Sequence, residues 1–163
     1  GTLSNALPYD VFIYDNAGTV TLEFLAWTNG TTRATALVLQ NGVLSKTGAL
    51  TRRYLGTFYT TSTTTTEDSA AKRYLCNYYN RVKRFLNKKE TTASWTYTTA
   101  VIRQANGAAG NQVELVVGVA EVLLDLTLQG KASNTTVVTN IEAGIGEDST
   151  TTPITNQPLV VTG

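Results

Sequence analysis

The residues with the most chemical potential in this chain are concentrated in one run, "EDSAAKRYLCNYYNRVKRFLNKKE", residues 67 to 90. Its basic side chains, Lys72, Arg73, Arg81, Lys83, Arg84, Lys88 and Lys89, could in principle hold phosphate groups. Its aromatics could stack on a sugar ring while amides and guanidinium groups bond the hydroxyls, which makes Asn77, Tyr79 and Arg81 the candidate binding residues. Glu67 with Asp68, or Glu121 with Asp125, could form the carboxylate pair of a glycosidase, which needs a separation of about 5 to 9 Å. Nothing else in the sequence supports that use. Asp10, Asp15, Glu147 and Asp148 fall where turns are predicted, and turn capping accounts for them more simply than calcium ligation. "GVLSKTGALT" sets a Lys among glycines and hydroxyls but lacks the GxxxxGK[ST] spacing of a phosphate loop.

Composition narrows these options. The chain of 163 residues contains no His and a single cysteine, Cys76, so the common zinc sites, His-dependent catalysis and an internal disulfide lose their usual residues. No catalytic residue, cofactor or metal is therefore expected. Thirteen basic against twelve acidic residues leave a net charge of +1. That is far from the balance of a domain built to hold nucleic acid, so no nucleic-acid partner is expected. The most apolar segment, "VELVVGVAEVLLDL", is broken by Glu121 and Asp125 and falls short of the roughly 18 apolar residues a span requires. No membrane partner is expected either. Gly1 in place of an initiator Met reads as a processed or excised piece.

The elements that must position the 67–90 run are strands. Threonine is unusually abundant, at 30 residues, and Thr and Val crowd a helix but suit a pleated surface. "YDVFIYDNAGTVTLEFLAWT" predicts two strands, Tyr9 to Tyr14 and Thr19 to Thr28, with Asn16 and Gly18 supplying the positive φ of the hairpin turn. "RATALVLQNGVLSKTG" places Ala34, Ala36 and Val38 on one face and turns at Asn41-Gly42. "RRYLGTFYTT" and "SWTYTTAVIRQ" predict further strands. "QVELVVGVAEVLLDLTLQ" predicts one long strand bent at Gly118, and "TVVTNIEAGIG" the last. About eight strands at this spacing predict an all-β fold, a jelly-roll-like antiparallel β-sandwich over residues 9–148, after an N-terminal linker 1–8 and before a Thr/Pro-rich tail 149–163.

The 67–90 run fits two periods. As a helix it lines up Ala71, Leu75, Tyr78, Val82 and Phe85. As a strand from 73 onward it puts Tyr74, Cys76, Tyr78, Val82 and Leu86 on one face, with Arg73, Asn77, Arg81 and Lys83 on the other. Mediocre helix formers and strand neighbours favour one short helix or loop near 67–73 leading into a strand. On either reading Tyr78 faces the core and Tyr79 does not. The basic residues are expected to pair with Glu67, Asp68 and Glu90.

The succession "YDVFIYDNAGTVTLEFLAWTNGTTRATAL", "NGVLSKTGALTRRYLGTFYTT", "TEDSAAKRYLCNYYNRVKRFL", "SWTYTT", "RQANGAAGNQVELVVGVAE" and the Gly-Ile-Gly ahead of Asp148 resembles a block found in virion structural proteins of tailed bacteriophages and related prophages. The resemblance runs from about residue 8 to 152. Cys76 departs from it, standing where a larger aromatic would be expected. The resemblance implies a non-enzymatic module on the virion exterior, a capsid decoration or tail-fibre head that assembles as a homotrimer and contacts other virion proteins. A module that binds host-surface glycans in host attachment is the alternative, and a glycan-degrading enzyme a distant third.

Overall fold

The structure is a computed structural model that describes residues 2–96 and 101–120, with short pieces at 124–125, 127–129, 144–146, 149, 151–152 and 154. The chain's contacts group into two compact units, residues 1–88 with 113–122 and residues 89–112 with 123–163. The sequence reading placed one domain over 9–148.

The first unit is all-β. Strands β1 (Pro8–Asn16), β2 (Thr19–Ala26), β3 (Leu37–Gln40), β4 (Val43–Lys46), β5 (Ala49–Tyr59), β6 (Lys72–Arg73), β7 (Leu75–Asn77) and β8 (Glu114–Leu115) follow in chain order. One sheet runs β2-β1-β5-β4-β3, and β7 joins the free half of β5. All its pairings are antiparallel. The all-β, antiparallel, sandwich-like class expected from the sequence is the class observed, with one parallel exception, the short β6–β8 pair.

Turn chemistry sets the register. The β1–β2 loop is two residues long, and Ala17 and Gly18 take the positive φ values, 51° and 86°. Asn16, expected to take one of them, instead closes the ladder opposite Thr19. Asp15 accepts the Gly18 amide at 2.7 Å, which tightens the turn. Asn41 and Gly42 take positive φ at the β3–β4 turn as expected.

Alternation along the strands then separates two faces. Phe12, Tyr54 and Val119 form the core, with Leu25, Leu37, Leu44 and Tyr78 packed on it. The rings of Phe12 and Tyr54 meet edge to face at 6.0 Å, a favoured aromatic geometry. A register shift opposite Val11 and Phe12 leaves Leu55 as the extra residue of a β-bulge. The Leu55 carbonyl accepts the Tyr78 amide at 2.9 Å, so the bulge aims the chain after β7 toward the core.

Several expected elements differ. No short helix forms near 67–73. Lys72–Arg73 is a strand there, Thr66 bridges Thr60, and Asp68 bridges Arg73. The strand from 73 onward ends at Asn77, because the Asn77 side chain turns the chain by accepting the amides of Tyr79 and Asn80 at 3.0 and 3.2 Å. Residues 33–36 form a loop rather than the start of β3. The long strand expected over 112–129 is, among its described residues, strand only at Glu114–Leu115; residues 121–123 and 126 of it lie outside the described residues, as do 97–100 of "SWTYTTAVIRQ", whose described residues form no strand, and most of "TVVTNIEAGIG". The expected linker is bonded down. The Ala6 amide donates to the Thr60 carbonyl and the Leu3 amide to that of Thr63.

Among the described residues of the second unit, a 3-10 turn at Ala105–Gly107 is organised by Asn111, which donates to Glu90 and, at 2.8 Å, to the Ala105 carbonyl.

Candidate functional site

The three candidate binding residues sit at the end of β7 (Asn77) and on the turn that follows it (Tyr79 and Arg81), and the fold already engages each of them. Asn77 caps the turn as described above. The ring of Tyr79 is about half exposed, but the Arg53 guanidinium lies 4.3 Å from its centre and bonds its hydroxyl at 2.8 Å. Arg81 folds back over the ring of Tyr78 at 4.3 Å and bonds the Tyr78 carbonyl at 3.1 Å. The sequence thus identified residues that come together, in a turn whose polar groups bond within the chain.

The basic side chains follow the expected pairing in part. Asp68 bonds Arg84 at 2.6 Å and Arg73 at 3.3 Å. Lys72 lies 3.6 Å from Glu114 and 3.9 Å from Glu67. Burial would push the Asp68 carboxyl up, but the bonds from Arg84 and Arg73 outweigh it and hold its pKa below the usual value. Glu90 is engaged elsewhere, by Thr92 and Asn111, which bring it down to about 2. Glu67 and Asp68 are therefore occupied by cations, and Glu121 lies outside the described residues.

The sequence reading missed the most buried polar cluster. Asp10, assigned to a turn, lies within β1 and is 1% exposed. It accepts Arg33 Nε at 2.8 Å and the Thr57 hydroxyl at 2.7 Å. The Tyr54 hydroxyl lies 2.6 Å from that of Thr57 and 3.2 Å from the Gly118 carbonyl, which also accepts Arg33 Nη2. Burial raises the Tyr54 hydroxyl to about 12; the bond to Thr57 opposes the rise and the Asp10 charge adds to it. The cluster ties β1, β5, the 28–36 loop and the segment after β8 together. The available signal was Asp10 two residues before Phe12, a charge on the core face of an apolar strand.

Beside this cluster lies an open depression of about 470 Å³ bordered by Trp27, Thr31, Thr32, Arg33, Leu37 and Val119. The Arg33 guanidinium stacks 4.5 Å from the centre of the Trp27 ring. Trp27 Nε1 is buried without a hydrogen-bond partner.

On the opposite face of the sheet the β2 edge presents an exposed apolar row among the described residues. Val20, Leu22 and Phe24 alternate along β2 and are 73%, 52% and 52% exposed. Among the described residues no strand lies on the outer edge of β2. Glu23, between them, points to the core face, where it bonds Lys46 and Arg52. Burial acts to raise its pKa, and these two cations more than reverse the effect.

No family model, curated protein or solved structure matches this chain.

Proposed function

We propose that the chain is a non-enzymatic structural module of a virion exterior, of the decoration or fibre-head type, carried on capsid or tail and acting by packing against its own copies and other virion proteins. The observation that carries the reading is the row Val20, Leu22 and Phe24 on an edge strand that no strand among the described residues covers. Apolar side chains in a contiguous exposed row favour a partner surface over water, and an uncovered edge favours strand addition. The resemblance of "TRRYLGT", "NYYNRV" and "RQAN" to virion proteins supplies the setting in which such packing would occur. Immunogold electron microscopy of purified particles with an antibody raised against the domain tests it. Regular labelling of the particle exterior is expected. Antigen confined to the soluble fraction, with bare particles, would overturn it.

A second reading, a host-glycan-binding module, rests on the depression beside Trp27, where hydroxyls of Thr31 and Thr32 border an indole. A glycan array in which Trp27→Ala abolishes a signal seen with the native chain would favour this reading. An array blank for the native chain would remove it.

A further inference from the structure

We infer that β2 is the contact through which two copies of this chain join, antiparallel and edge to edge about a twofold axis centred on Leu22. The inference stands apart from the virion reading and does not need it.

The backbone directions come first. Trp27 donates its amide to the Pro8 carbonyl at 2.9 Å, and β1 pairs β2 in unbroken register from Tyr9 opposite Ala26 to Asn16 opposite Thr19. Hydrogen-bonded and non-hydrogen-bonded pairs alternate along an antiparallel ladder. Thr19, Thr21, Glu23 and Leu25 therefore bond inward to β1, while Val20, Leu22 and Phe24 direct their amides and carbonyls to the outer edge. Side chains of these same three residues form the exposed apolar row.

A second copy fits this edge in one register. Outward residues must meet outward residues, so the candidate centres are few. Centring on Leu22 sets Leu22 against Leu22 and Val20 against Phe24 in both directions, giving three hydrogen-bonded pairs and an uninterrupted apolar ladder. Thr21 then faces Glu23, whose charge Lys46 and Arg52 already balance. Centring on Glu23 would oppose two carboxylates. Centring on Thr21 would set Phe24 against Gly18, which has no side chain to cover it. Of the features that protect natural edges β2 carries one, the inward-facing Glu23, whose charge Lys46 and Arg52 match; its eight residues contain no Pro, no Lys and no break in register. The contact is isologous, so it joins copies in pairs and cannot by itself close the trimer expected from the sequence.

Light scattering after size exclusion, on the native chain across micromolar concentrations, should give twice the chain mass. Leu22→Lys and Leu22→Glu, each checked for native circular dichroism, should shift separately to monomer by placing like charges across the axis. Mixed in equal amounts they should recover the double mass. Leu22→Cys supplies a readout that needs no disruption. Paired strands hold opposed Cα atoms within disulfide reach, so mild oxidation should give a reducible dimer, while the native chain, with Cys76 alone, should not crosslink. A native monomer, an assembly whose mass neither charge variant changes, or failure of the mixed variants to recover the double mass would each overturn the inference.

Discussion

Asp10 is nearly inaccessible, whereas the side chain of its partner Arg33 is 22% exposed, and that asymmetry decides what each substitution does. Arg33→Ala leaves a buried carboxylate with only the Thr57 hydroxyl to bond, and the cost expected for an orphaned buried charge is about 3 kcal/mol. Asp10→Ala leaves a guanidinium that can turn to water and retains Trp27 beneath it, so it should cost less. The double variant should be more stable than Arg33→Ala alone, which urea denaturation measures directly. A similar contrast applies to the adjacent tyrosines. Tyr78 packs on Tyr54 at 5.8 Å and on the core, so Tyr78→Ala should cost about 2 to 3 kcal/mol. Tyr79 is half exposed and bonded to Arg53, so Tyr79→Ala should cost under about 1 kcal/mol. Equal losses in the two melting curves would contradict the core assignment.

At the scale of elements, the junction of β5 with β7 depends on Gly56. A Cβ there would stand 2.2 Å from the Cys76 carbonyl oxygen, a backbone atom that cannot turn aside. Gly56→Ala should therefore separate β7 from β5 and lower the melting temperature, with lost amide protection at Cys76 and Tyr78 as the local sign. The bond of Glu23 to Lys46 and Arg52 links β2, β4 and β5. Its folded pKa lies below 4.5, so its stabilisation is full above pH 4.5 and is lost as pH falls through the folded value. Glu23→Gln should thus melt below the native chain at pH 7, and the gap should narrow under acid; a gap independent of pH would contradict the linkage. The hairpins and the all-β class were legible in the sequence because alternation and the Asn-Gly and Gly18 turns are local signals. The end of β7 was not legible, because the 73–86 alternation continues past a turn that only the Asn77 side chain makes. The pairing of Asp10 was hidden for a related reason. Its partner Arg33 is 23 residues away, and no local pattern reports a pairing at that distance.

At the scale of the whole molecule, the charges of the first unit are largely matched in pairs, and a net charge of +1 supplies no broad attractive field for nucleic acid. Filter binding at physiological salt should give no retention of duplex DNA, and micromolar affinity with a steep salt slope would contradict it. What the first unit does offer a partner is the β2 edge and its apolar row. Amide hydrogen exchange resolved by residue across β2 tests that role most directly. Thr21 and Glu23 donate to β1 in a lone chain and in a pair, so they should be protected at every concentration. Val20, Leu22 and Phe24 should exchange freely on dilution and become protected together as the concentration rises. Persistent fast exchange at those three positions, with Thr21 and Glu23 protected beside them at every concentration, would show that the edge stays open and contradict its role as the contact between copies.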